Sequence, residues 1–110
     1  MKACGDQIWN EAQPRQFAGV LATISDVATM QDFLRDVLTE KEIIEISARL
    51  EAAKMLQAGS KYTDISAKTK LSSRTIARIS DWLQNGAGGY SPALDIVNAH
   101  HAHLPPARAE

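Results

Sequence analysis

The stretch that decides the fold is residues 62–83, whose sequence is YTDISAKTKLSSRTIARISDWL. Two short helices that pack at a steep angle need apolar residues at fixed offsets and a small residue where they cross, and Ser66 is small at that point. The spacing predicts a helix-turn-helix with helices at 62–69 and 73–85. Its apolar residues are Ile65, Leu71, Ile76 and Ile79.

Two polar residues shape the predicted turn. Ser72 is a favourable N-cap for the second helix, since its hydroxyl can accept a hydrogen bond from a first-turn amide. Lys70 lies in the turn itself, where glycine is the commoner residue because the backbone there often has a positive φ. The turn is therefore less typical than the two helices around it.

The predicted motif is basic although the chain is not. Between Ser60 and Ser80 there are five basic residues against one acid, a local charge of +4 in a chain of net charge -1, so the remainder carries -5. Phosphate binding needs local positive potential, and an α-helix fits the major groove of DNA. The charge distribution favours DNA binding, and the alternative is a solvated basic helix pair.

Residues near the start of the second helix are the candidates for reading DNA. Short side chains there allow close approach, and Arg74 can pair bidentately with guanine. The candidates at the helix start are Ser72, Ser73, Arg74 and Thr75. The candidates for phosphate contacts are Lys61, Tyr62, Thr63, Lys68 and Lys70, and Arg78 lies on the same outer side as Arg74.

The N-terminal half contains two further helix patterns. Apolar residues at helical spacing predict helices at 15–24 and 27–38, with Asp26 as the N-cap of the second. A chain of 110 residues is one small domain, with little material to cover two apolar stripes. The stripes either pack as a local bundle or form the arms of a homodimer, and we favour the homodimer.

A capping box opens the central helix. In Thr39-Glu-Lys-Glu42 the threonine hydroxyl can accept the amide three residues along, while Glu42 reaches back to the threonine amide. The helix should run to about Ala58, since Gly59 suits the left-handed backbone that follows a helix end. Its apolar residues are spread widely enough to predict burial on more than one side.

The C-terminal part should hold one more helix. Gly-Ala-Gly-Gly at 86–89 ends the preceding helix, and Ser91 is the expected N-cap of a short helix at 92–97. The chain is thus predicted to be all-α with about six helices. The expected domain organisation is a flexible segment at 1–14, one domain at 15–99 with its DNA-binding motif at 62–85, and a flexible tail at 100–110.

Several classes of protein are not expected. No nucleophile and base pair, phosphate loop or paired carboxylates stand out, so an enzyme is not predicted. His100, His101 and His103 have poor spacing for a structural metal site, and a solvated helix end is the favoured interpretation. The lone Cys4 fits a reducing compartment, and no run of 18 apolar residues or signal segment is present. We expect a cytoplasmic protein, associated with the bacterial nucleoid and not with membranes.

A known family shares these features. The run from Leu38 to Ile43, the Arg49-Leu-Glu51 triplet, the 72–78 segment and above all Asn85-Gly-Ala-Gly-Gly-Tyr90 resemble the Trp repressor superfamily, and its YerC/YecD-type branch in particular. The resemblance implies an intertwined homodimer whose two reading helices enter successive major grooves of double-stranded DNA. It also implies base contacts by Ser73, Arg74 and Thr75 and phosphate contacts by Tyr62, Thr63 and Ser66.

The resemblance also implies a candidate effector pocket. Tryptophan-responsive members hold the amino acid between two arginines near a threonine, and these positions match Arg49, Arg78 and Thr39. Ile79 and Trp82 replace small residues that make room for and contact the ligand, so no cofactor is predicted, tryptophan least of all. Trp82 either fills the pocket against Arg78 or belongs to the dimer core.

The predicted function is a homodimeric, sequence-specific transcriptional regulator that binds DNA, most naturally as a repressor. The alternative is a dimeric helical module that binds a protein partner without specific DNA binding.

Overall fold

Six α-helices and one short 3-10 helix make up residues 4–100, which are the residues that this computed structural model describes. No strand is found within that range. The elements are the 3-10 helix Cys4–Asn10, then α1 Ala12–Thr23, α2 Val27–Val37, α3 Glu40–Gln57, α4 Tyr62–Thr69, α5 Ser73–Asn85 and α6 Tyr90–His100. The predicted all-α fold of about six helices is confirmed. The tail from 101 to 110, with His101 and His103, lies outside the described residues.

Two helix starts are fixed by the predicted caps. The Asp26 carboxylate accepts hydrogen bonds from the amide and the hydroxyl of Thr29, both at 2.8 Å. At the start of α3 the Thr39 hydroxyl accepts from the Glu42 amide at 3.1 Å, and Glu42 accepts from the Thr39 amide at 2.8 Å. Hydrogen bonds from the Thr29 hydroxyl and then its amide lower the pKa of Asp26, and the Thr39 amide and hydroxyl lower that of Glu42. Both caps are therefore complete at neutral pH and weaken as the pH falls through these pKa values.

The first and last helices begin earlier than predicted. Helix α1 starts at Ala12, not Arg15, so Pro14 lies in the first turn, where a missing amide donor removes no hydrogen bond. A 3-10 helix over Cys4–Asn10 also occupies most of the segment that was expected to be flexible. Helix α6 starts at Tyr90, so Ser91 lies within the helix and is not its N-cap.

The hydrophobic core lies between α3, α4, α5 and α6. Ala52 and Ala53 have no exposed surface, and two alanines allow neighbouring helices to approach α3 closely. The other fully buried residues are Ile65, Ile76, Ile79 and Leu94. This core places α4 and α5 firmly against α3, so the motif is held by packing as well as by its own turn.

The N-terminal half has no comparable core. Neither α1 nor α2 contains a buried residue, although Phe17 and Phe33 pack with ring centroids 6.1 Å apart. On α3, Ile44 and Ile46 are 60% and 54% exposed, so the expected burial of this helix on more than one side is wrong for a single chain. An extensive apolar surface therefore runs along α1, α2 and the first half of α3.

Gly86 is required where α5 ends. Its amide donates to the Trp82 carbonyl at 3.0 Å, and an added Cβ would lie 2.6 Å from that oxygen. We expect Gly86→Ala to lower the free energy of unfolding by about 1 to 3 kcal/mol, as other overpacking changes do. Gly89→Ala is the matched control, because its Cβ would meet nothing within 4 Å. Urea unfolding at equal protein concentration measures both, and equal effects would contradict the close-contact explanation.

Candidate nucleic-acid interface

The start of α5 presents two free polar side chains and two occupied ones. The Ser72 hydroxyl accepts from the Thr75 amide at 3.2 Å and donates to the Thr75 hydroxyl at 3.1 Å. Thr75 is also half-buried, whereas Ser73 and Arg74 are exposed. The predicted N-cap is thus confirmed, and the side chains free to reach a base edge from the first turn are Ser73 and Arg74.

Arg78 extends this surface by one helical turn. Arg74 and Arg78 are four residues apart on α5, and both are exposed. Lys61, Tyr62 and Thr63 are exposed at the start of α4. The predicted DNA-side residues therefore occupy the outer surfaces of the two helices, while Ile65, Ile76 and Ile79 face the core.

The turn between α4 and α5 is built from side-chain hydrogen bonds and a left-handed lysine. Lys70 has φ 66° and ψ 10°, and its amide donates to the Ser66 carbonyl at 2.9 Å. The Ser66 hydroxyl donates to the Leu71 carbonyl at 2.7 Å, and the Thr69 hydroxyl donates to the Ile65 carbonyl at 2.7 Å. Ser66 is therefore occupied in holding the turn, and its predicted phosphate contact stays a prediction.

Lys70 is the one non-glycine residue with a positive φ among the residues described. Left-handed backbone costs a non-glycine residue roughly 1 kcal/mol, and such strain concentrates at functional positions. We expect Lys70→Gly to raise the free energy of unfolding by about 1 kcal/mol and to weaken DNA binding, with a salt dependence shallower by about 0.9 for one lost phosphate contact.

Lys70→Asn is the matched control, because asparagine tolerates this backbone and carries no charge. The two variants should bind DNA alike while differing in stability, as measured by urea unfolding and by duplex titration at several salt concentrations. Unchanged DNA affinity in Lys70→Gly would show that this lysine makes no phosphate contact.

Lys68 does not project freely into solvent. Its ammonium lies 3.1 Å from one carboxylate oxygen of Glu51 on α3, and Lys54 lies 3.1 Å from the other oxygen. Burial raises the pKa of the Glu51 carboxyl, but the two lysines together outweigh it, so that pKa lies below its ordinary value. The carboxylate stays charged at neutral pH and joins α3 to α4. Sequence reasoning missed Glu51, because no local pattern signals a pair 17 positions apart.

The residues of the candidate effector pocket are not brought together. Arg49 lines a cavity of about 530 Å³ between α3 and the turn, with Ile44, Lys70 and Thr75, and none of the other four predicted residues lines that cavity. Ile79 is fully buried in the core. Thr39 is exposed in its capping box, and Arg78 and Trp82 are exposed on α5.

Arg49 has a different neighbour instead. Burial raises the pKa of the Tyr90 phenol, and the positive charge of Arg49 opposes that rise, which places the guanidinium near the ring. Tyr90 packs against the core from the start of α6. The glycine-rich segment before it therefore serves to bring this tyrosine back to α3.

Two other kinds of site receive no support from the described residues. Between residues 4 and 100 no three potential metal-ligating side chains cluster. Over the same part of the chain, no helix combines the length and the apolar character that a membrane span needs.

An all-α fold with a basic helix-turn-helix packed on a central helix defines a class of helix-turn-helix proteins. Within that class, the chain belongs to the Trp repressor family: the family model described as "Trp repressor protein" matches residues 12–98. The family is one of non-enzymatic DNA-binding proteins, in agreement with the prediction that the chain is not an enzyme.

Individual relatives agree with this assignment. The uncharacterized protein YerC of Bacillus subtilis (strain 168) is 34% identical over 82 residues, which are 74% of this chain and 79% of that protein. The crystal structure of a TrpR-like protein from Eubacterium eligens ATCC 27750 matches with a TM-score of 0.73 and 34% identity, covering 80% of this chain and 92% of that one. A candidate Trp repressor from Staphylococcus aureus matches with a TM-score of 0.78 and 28% identity, covering 87% and 96%.

Proposed function

We propose that the protein is a sequence-specific DNA-binding transcriptional regulator, a repressor, that acts in the cytoplasm as a homodimer. The observation that carries the proposal is the outer surface of α5. Ser73, Arg74 and Arg78 are exposed there, while the opposite side of the helix is held in the core by Ile76 and Ile79. A helix so anchored and so exposed has the form required to enter a major groove.

The contacts divide into those that read sequence and those that position the protein. Arg74 reads a guanine by a bidentate contact to its major-groove edge, with Ser73 beside it. Thr75, whose hydroxyl is bonded to Ser72, acts through the apolar contact of its methyl group. The phosphate contacts come from Lys61, Tyr62, Thr63, Lys70 and the N-terminal amides of α5.

The uncovered N-terminal half supports the homodimer. Val20, Val27 and Val37 on α1 and α2 are 39%, 67% and 47% exposed, and this surface is continuous with the exposed isoleucines of α3. Apolar surface of this extent marks an interaction site, and a second copy of the chain would cover it. Trp82, 39% exposed on α5, fits the same explanation better than it fits a self-filled pocket.

Charge removal from α5 tests the proposal. We expect Arg74→Ala with Arg78→Ala to remain folded and dimeric while binding a selected duplex roughly 10- to 100-fold more weakly, since a bidentate base contact contributes about 1 to 3 kcal/mol. The matched control is Arg15→Ala with Arg35→Ala, which removes the same charge from α1 and α2. Fluorescence anisotropy with cognate and random duplexes measures both. A double α5 variant that binds as tightly as the parent would overturn the proposal and leave the module that binds a protein partner.

A further inference from the structure

We propose that Glu51 is an internal counterion of the DNA-binding surface, which neutralises Lys68 and so weakens the attraction of the motif to DNA phosphates of any sequence. The inference rests on the proposed DNA-binding function and adds to it a residue that sets how strongly the protein binds DNA without regard to sequence.

The contacts place one carboxylate between two lysines of different helices. Glu51 Oε2 lies 3.1 Å from the Lys68 ammonium, and Oε1 lies 3.1 Å from that of Lys54. Oε2 has no exposed surface, and apart from the Lys68 ammonium no polar partner satisfies it. The side chain of Lys68 is nevertheless 61% exposed. The lysine is thus accessible to DNA, while its charge is already balanced from below.

This arrangement changes the energetics of a phosphate contact. A lysine that neutralises a phosphate releases a condensed counterion from DNA, which contributes about 0.9 to the slope of log K against log salt. Lys68 must either remain with Glu51 or leave a carboxylate with an inaccessible oxygen without its partner. In both cases Lys68 contributes less than a free lysine, whereas Lys70, whose strained backbone sets it in the turn, contributes fully.

The consequence concerns sequence-independent binding. Contacts to phosphates supply essentially all of that binding, and genomic DNA offers a very large excess of competing sites. A carboxylate that masks one lysine therefore reduces the share of the protein held on random DNA. Base contacts by Arg74 are unaffected, since Glu51 lies on α3 and pairs with α4 and not with α5.

Glu51→Gln is the direct test, in the full chain, with a random duplex as the probe. It should bind about eightfold more tightly at 0.1 M salt, with a slope steeper by about 0.9, which is one restored phosphate contact. Glu45→Gln is the matched control: it removes the same charge from an exposed position of α3, and no ion pair to Glu45 is found in the described part of the chain. Equal effects of the two variants would overturn the proposal.

Lys68→Gln tests the same proposal from the other side and does not disturb Glu51. It should change the affinity and the salt slope much less than Lys70→Asn does, and in its presence Glu51→Gln should behave like Glu45→Gln. A loss as large as that of Lys70→Asn would show that Lys68 is unmasked and the inference wrong. Failure of the parent protein to bind any duplex would instead reject the proposed function itself, and the inference with it.

Discussion

Ile79→Ala is expected to lower the free energy of unfolding by about 3 kcal/mol, within the range of roughly 2 to 5 kcal/mol seen when a fully buried isoleucine is truncated. Ile79 has no exposed surface, and its neighbours in the core include Ala52 and Ala53. Alanines cannot extend to fill the space, so most of the lost volume would remain as a cavity. For a domain of marginal stability this is a large share of the total.

The same variant decides between two roles for Ile79. A residue that merely lined an effector pocket could be truncated at a cost below about 1 kcal/mol, and the new space would admit a ligand such as tryptophan. Ile96→Ala on α6, where the side chain is 61% exposed, is the matched control and should cost under about 1 kcal/mol. Urea unfolding at equal protein concentration, together with calorimetric titration of tryptophan, makes both comparisons. A small loss of stability with gained tryptophan binding would contradict the core assignment.

Val20→Asp should convert the proposed homodimer into monomers. Val20 is 39% exposed in a single chain and lies on the apolar surface of α1, so dimerisation would bury the new carboxylate among apolar side chains. An unpaired charge buried in that way costs several kcal/mol, which raises the dissociation constant by more than about 100-fold.

Ala22→Asp provides the matched control for the dimer. It introduces the same charge two positions along α1, roughly 200° around the helix, at an exposed residue. Sedimentation equilibrium or light scattering over a range of concentrations measures the dissociation constant of each variant. Dimers of equal strength in both would show that this surface of α1 is not the interface.

The motif could be predicted from sequence because its signals are local. Residues 62–69 and 73–85 form helices with the predicted bounds, since Ser72 provides the cap and the apolar offsets leave one way to pack. The capping box at Thr39 is confirmed for the same reason. The starts of α1 and α6 were misplaced because a proline fits anywhere in the first turn and a serine is an N-cap only if the backbone before it is extended.

Features that depend on distant residues could not be predicted. Nothing near Lys68 in sequence indicates that Glu51 neutralises it. Ile79 was assigned to a pocket by resemblance, but the direction of a side chain on α5 is set by the core that α3 and α6 complete. Burial of the apolar residues of α1 and α2 depends on a second chain, so a single sequence predicts helices there without predicting what covers them.

The central claim, that α5 reads DNA sequence as one half of a dimer, is tested most directly by selecting bound duplexes from a random pool with the full chain. The account predicts enrichment of a two-fold palindrome whose half-sites lie about one helical turn apart, because two reading helices would enter successive major grooves. The same selection with Arg74→Ala should lose the preference at a guanine in each half-site. A bound pool with the same sequence composition as the starting pool would contradict the claim.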